Sequence, residues 1–189
     1  MSLNSKAWKR ISLGAVTLVS AAVLTACGGG SSTTSSSKDE INWYLPTEIS
    51  TLDISKVTDS YSSIAIGNSG SNLLRRDKNG DLQPDLAAKD IEVSDDGLTY
   101  TATLRDNLKW SDGSDLTAED FVYTWQRIVD PKTASEYAYL VSDAHVLNAE
   151  EVINGTKSVD ELGVKADGNK VIFTLSSPSP QFMSLLSFT

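Results

Sequence analysis

One cysteine, Cys27, and one histidine, His145, set the limits on the chemistry this chain of 189 residues can do. A zinc site draws most of its ligands from these two residue types, so a lone His145 reads as structural or solvated and no metal is expected. A Ser-His-Asp triad stays open on composition, yet nothing around any serine resembles the strained G-x-S-x-G nucleophile turn. Asp95/Asp96 and Glu150/Glu151 are acid pairs, one in a turn sequence and the other on a helix face, where solvated charge is the default. Asp77-Lys78-Asn79-Gly80-Asp81 superficially suggests a calcium loop. That loop requires glycine at its sixth position, and Leu82 stands there. No glycine loop able to cradle phosphate follows a strand. No cofactor is expected, and these residues taken alone describe a non-catalytic domain.

Cys27 has a different chemistry written around it. Lys6, Lys9 and Arg10 precede the apolar run Ile11–Ala26, which ends in Leu24-Thr25-Ala26-Cys27. A basic segment, an apolar segment and a small residue before the cut describe a secretory signal. The cysteine after the cut resembles a bacterial lipobox, whose cysteine is lipidated and becomes the new N-terminus. A retained transmembrane anchor competes poorly, because the run is shorter than the roughly 20 residues a bilayer requires and contains Ser12, Gly14, Thr17 and Ser20. Two acyl chains, as a diacylglyceryl Cys27 carries, anchor stably where one does not. The expected organisation is therefore a signal over residues 1–26, a Gly/Ser/Thr-rich flexible tether over 27–40, and a folded part over 41–189. The expected location is the extracellular face of the membrane of a Gram-positive bacterium. Asn154-Gly155-Thr156 matches a glycosylation sequon, which a bacterial origin discounts.

The formal net charge is −9, and removing Lys6, Lys9 and Arg10 with the signal leaves −12. Such an acidic chain lacks the basic patches that nucleic acid requires, so no nucleic-acid partner is expected. With no cysteine beyond Cys27 there is no internal disulfide, and the fold must rest on its apolar core.

The elements that would position any site follow from local pattern. Ile41–Leu45 reads as a strand stopped by Pro46. Asp59 or Ser60 reads as the cap of a helix from Tyr61 to about Leu74, weakened by Gly67 and Gly70. Asp77–Asp81 reads as a turn. Leu98–Arg105 alternates with period two, putting Tyr100, Ala102 and Leu104 on one face. Thr117 is the cap of a helix whose Phe121, Val122, Trp125, Ile128 and Val129 form an apolar stripe, ending before Asp130-Pro131. Short helices are expected near Tyr137–Ser142 and His145–Asn154, with Gly155 as the left-handed stop. Lys170–Leu175 is a strand, paired as a hairpin with Gly163–Ala166. Pro180 suits the first turn of a last helix. Strands and helices interleave without a regular βαβ rhythm, which gives an α+β (mixed α/β) class. The end of the chain carries Phe182, Leu185, Leu186 and Phe188 without an evident partner surface. On that ground the chain is expected to be a fragment of something longer.

Ser94-Asp95-Asp96-Gly97-Leu98-Thr99-Tyr100, then Leu104–Gly113 and Leu116–Arg127, together resemble the signature of the family 5 bacterial extracellular solute-binding proteins. Val129–Ala138 and Asp160–Ala166 narrow the resemblance to the oligopeptide-binding branch, which serves ABC importers. A pattern in several separated parts is far more specific than any short motif. The resemblance implies a two-lobed clamp of the periplasmic-binding-protein type II kind. This chain would supply only the beginning of the first lobe and its extra subdomain. It further implies oligopeptide ligands, ABC permease partners and a monomer.

Carried over by position, Thr58, Asp59 and Ser60 align with the stretch that pairs with ligand backbone, and Tyr137 with a ligand-contacting tyrosine at the lobe interface. Thr58 stands where the best-known pattern has glutamate, so backbone pairing is what carries over there. A binder of many peptides must hold the backbone they share, which an extended protein edge can do. Two other readings stay open: Thr58–Ser60 as the lead-in and cap of a helix, and Tyr137 as a core aromatic. For the whole protein, capture of oligopeptides for import stands first. The alternative is a lipid-anchored interaction or signalling module, an adhesin or peptide-pheromone receptor; an anchored hydrolase stands third.

Overall fold

The computed structural model describes residues 42–188. The expected signal, the tether, Cys27 and Ile41 lie outside the described residues. The chain divides into two units, residues 1–44 and 45–189. Of the first, only Asn42–Tyr44 are described, and they belong to no helix or strand. The strand expected over Ile41–Leu45 is therefore absent from Asn42 onward, since a strand exists only with a ladder partner and none pairs here among the described residues.

The second unit is built on a four-stranded antiparallel sheet in the order β3-β4-β6-β5, with β3 at Glu92–Val93, β4 at Thr99–Thr103, β5 at Val164–Asp167 and β6 at Lys170–Thr174. A separate hairpin joins β1 (Leu74–Arg76) to β2 (Leu82–Pro84). Its turn is the acidic Asp77–Asp81 loop, whose Asp77 carboxylate accepts from the amides of Asn79 and Asp81. Those bonds make the loop a turn of the Asx kind.

The alternation read in β4 holds: Tyr100, Ala102 and Leu104 are buried while Thr99, Thr101 and Thr103 are half-buried. In register, Tyr100 lies opposite Phe173 and Ala102 opposite Val171, both buried on β6. Helix α2 (Ala118–Val129) packs along β5 and β6. Its Asp120 carboxylate accepts from the Thr117 amide at 2.7 Å, which closes the first turn. Trp125 on α2 reaches Phe173 edge-on, with ring centroids 4.9 Å apart.

Phe182 completes this cluster, 4.7 Å from Tyr100 and 5.3 Å from Phe173, and is fully buried. The apolar end of the chain thus finds a partner within the chain itself, contrary to the expectation. Phe182, in the one-turn helix α5 (Phe182–Leu185), and Leu186 join the core, and the Leu74 amide donates to the Leu186 carbonyl at 3.1 Å. Phe188 alone of that group remains largely exposed.

Helix α1 (Ser60–Ser69) ends at Ser69, five residues short of the expected Leu74, with Gly70 as its C-cap, because Leu73 and Leu74 are drawn into the core and Leu74 into the β1 ladder. The two short helices shrink to α3 (Tyr139–Asp143) and α4 (Ala149–Ile153). Between them His145 and Asn148 adopt left-handed backbone, while Val146 bridges Leu175. His145 is therefore in a turn, not on a helix. Gly155 takes the left-handed conformation expected of a helix stop, at φ 72°.

Candidate functional site

Thr58, Asp59 and Ser60 close a loop that runs from Ser50 to Ser62. Asp59 is the N-cap of α1: its carboxylate accepts from the amides of Tyr61 at 3.1 Å and Ser62 at 2.8 Å. The same carboxylate accepts from the Ser50 hydroxyl. The Ser50 amide in turn donates to the Ser62 hydroxyl at 3.1 Å, and Ser62 is fully buried. These bonds draw the two ends of the loop together. The bonds donated to Asp59 favour its charged carboxylate, so Asp59 is held down at about 2, the Ser50 hydroxyl contributing most. Charge on Asp59 is thus spent on the cap and the loop neck. The cap reading of this stretch is correct for Asp59, and it leaves backbone pairing at Thr58 open. Thr58 is exposed, and no hydrogen bond joins it to another described residue.

The far side of the loop is fixed by residues the sequence reasoning did not single out. Arg127, in the last turn of α2, donates to both oxygens of Asp53, at 2.6 and 2.7 Å. The Arg127 guanidinium holds the Asp53 carboxyl down at about 2, and the Asp53 carboxylate raises Arg127. Asp53 also organises the chain leading to Thr58. Its carboxylate accepts from the Ser55 amide, and its carbonyl accepts from the amides of Lys56 and Val57. Ser55 and Val57 are buried by that turn. A cation in the last turn of α2 was legible; that it pairs with a residue 74 positions earlier was not.

Tyr137 is half-buried just before α3, its ring edge-on to Phe188 at 5.9 Å and 6.4 Å from Tyr139. No hydrogen bond, ion pair or ring contact joins it to Thr58–Ser60 among the described residues. It sits in an aromatic group at the surface, since Tyr139 and Phe188 are about half exposed. His145 lines a cleft with Tyr139, Ser142, Asp143, Glu150 and Gln181. The Ser142 hydroxyl donates to the Tyr139 carbonyl of its own helix. No group of three or more His, Cys, Asp and Glu side chains suited to a metal occurs among the described residues.

An antiparallel sheet with α2 across it and a capped loop on that helix is an architecture with known relatives. The family model for bacterial extracellular solute-binding proteins, family 5 Middle, matches residues 81–189. The chain belongs to that family. The dipeptide-binding protein of Lactococcus lactis subsp. cremoris is 48% identical over 180 residues, covering 95% of this chain and 32% of that protein. Among solved structures, the substrate-binding domain of an oligopeptide ABC transporter from Bacillus anthracis superposes with TM-score 0.71 at 44% identity, covering 75% of this chain and 27% of that one. The pheromone receptor PrgZ, solved for its mode of peptide binding, gives TM-score 0.71 at 39% identity, covering 75% of this chain and 28% of its own. The fold is thus mixed α/β and corresponds to part of a two-lobed type II solute-binding protein. The chain spans about a third of the length of the curated relatives it matches.

Proposed function

We propose that this chain is part of a substrate-binding protein that captures oligopeptides outside the membrane and hands them to the permease of an ABC importer. The observation carrying this reading is the exposed Thr58 edge, which makes no hydrogen bond to another described residue, on a chain similar to oligopeptide- and dipeptide-binding proteins along nearly its whole length. An extended peptide can pair with such an edge through its main chain while its side chains vary. Asp59 is already committed to the loop neck, so it contributes rigidity and Thr58 contributes the pairing groups. Ser60 begins α1, and its exposed hydroxyl faces the same solvent. Tyr137 supplies an aromatic wall elsewhere on the surface. The protein binds and does not catalyse.

The organisation expected from the sequence belongs to the same proposal. Residues 1–26 direct export, Cys27 carries the lipid, residues 27–40 tether the binding part, and the mature monomer works at the extracellular face of the membrane. Cys27→Ala should release the protein into the medium, and intact mass should lose the lipid; a variant that stays membrane-bound counts against the anchor.

Titration of the full-length protein with mixed tetra- to hexapeptides tests the function. Peptides that bind the folded state raise Tm in proportion to their affinity. No shift with any peptide would sink the reading, and cleavage of the peptides would mark a hydrolase instead. The likeness to PrgZ supports a second reading, a peptide-pheromone receptor. An importer responds to many sequences of the mixture, a receptor to one.

A further inference from the structure

The loop carrying Thr58–Ser60 is held in two places, and only one of them is local. At its neck, Ser50, Asp59 and Ser62 bond to one another. That arrangement fixes the shape of the loop but says nothing of where the loop stands. The Asp53–Arg127 pair ties the loop to the sheet, because Arg127 belongs to α2, α2 packs on β5 and β6, and its Trp125 meets Phe173 of β6. A two-pronged guanidinium–carboxylate contact fixes orientation as well as distance, which a point charge does not. From Asp53 the chain has little freedom before the edge: its carbonyl accepts from the Lys56 and Val57 amides, Val57 is buried, and Thr58 follows.

We infer that the Asp53–Arg127 pair is a positioning device for peptide binding: it sets the Thr58–Ser60 edge at the height and angle a bound peptide meets, acting through the loop. The inference rests on the reading of Thr58–Ser60 as the peptide-pairing edge. The two side chains work as one unit, so removing either should have the same consequence as removing both. Lys56 and Tyr123 are the other titratable groups that interact with this pair, and neither substitutes for the fork.

The test compares full-length wild type with Asp53→Asn, Arg127→Gln, the double variant and Val152→Ala. Val152 is fully buried in the core, far from the loop in role, and its truncation serves as a purely destabilising control. Affinity is read by calorimetry with a peptide that the mixture identifies, and local order by amide exchange. Each single variant should weaken binding on the order of tenfold, as expected for a lost charged hydrogen-bond pair, and the double should weaken it no further. Exchange should rise at Val57–Ser62 while β4 and β6 stay protected. Val152→Ala should lower Tm yet bind within about twofold of wild type.

Unchanged affinity in both single variants overturns the inference. So do additive losses in the double variant, or a loss in Val152→Ala that tracks Tm in the same way. A wild type that binds no peptide overturns the reading of the edge. In that event the exchange comparison alone decides the positioning role, and unchanged exchange at Val57–Ser62 overturns it.

Discussion

Asp53 and Asp59 lie six residues apart and have carboxyl groups depressed to about 2, yet they answer to different partners. Asp53 is held by a guanidinium from across the chain, Asp59 by a hydroxyl and amides within its own loop. The difference appears when each is changed. Asp59→Ala leaves the Tyr61 and Ser62 amides without their acceptor and frees Ser50. It should lower Tm and speed exchange at the start of α1, while exchange at Arg127 stays as it was. Asp53→Asn removes an ion pair that is only half-buried, so solvent screening limits its worth to about 1 kcal/mol at neutral pH. The pH dependence follows from the sign of the shift. A carboxyl lower in the folded state than its ordinary 3.8 contributes stability above that value and loses it as pH falls toward about 2. Denaturation of wild type and Asp53→Asn should therefore differ by a constant amount between about pH 5 and 8, draw together below about pH 4, and converge only at about pH 2 and below. Arg127 stays charged throughout that range, so the convergence reports the carboxylate.

At the scale of elements, the fold depends on two close approaches. The first is the aromatic group made by Tyr100 on β4, Trp125 on α2, Phe173 on β6 and Phe182 on α5. Edge-on rings of this kind add roughly 0.5–1.5 kcal/mol per pair to the apolar area they bury. Phe173→Ala should cost about 3–5 kcal/mol in chemical denaturation, because both Trp125 and Phe182 lose their neighbour. The second is Gly163, at the entry to β5. A methyl group there would stand 2.5 Å from the Thr174 carbonyl oxygen and 2.7 Å from the Leu147 β-carbon. The obstacle is mainly backbone, since the Leu147 amide donates to the Thr174 carbonyl, the Gly163 amide to the Leu147 carbonyl and the Thr174 amide to the Gly163 carbonyl. Gly163→Ala should thus destabilise by about 1–3 kcal/mol, with exchange rising first at Leu147 and Thr174.

For the whole molecule the question is how much surface a peptide can find. Two solvent-facing clefts, of about 360 and 640 Å³, meet at Asp143 and Gln181 on the surface near α3 and the chain's apolar end. Neither includes Thr58, Asp59 or Ser60. Small-ligand sites bury most of their ligand's surface, which an edge open on one side cannot do. The 189-residue chain by itself should therefore show no micromolar peptide binding by calorimetry, whereas the full-length protein should bind. Micromolar affinity in the 189-residue chain would mean that the edge needs no opposing surface.

Sequence alone determined what depends on near neighbours: the alternation in β4, the apolar stripe of α2, the β5–β6 hairpin, the Asp77 turn and the Asp59 cap. Each is written within a dozen residues, at the period of a strand or helix or as the residue type that a turn requires. The family pattern was legible for the same reason, being a chain of such local segments. Tertiary structure decided the rest. It stopped α1 early because Leu73 and Leu74 were needed in the core, and it placed His145 in a turn so that Val146 could bridge Leu175. It also buried Phe182 at the end of the chain and joined Asp53 to Arg127. Those partners stand tens of residues apart, and only the closing of the chain around its apolar core brings them together.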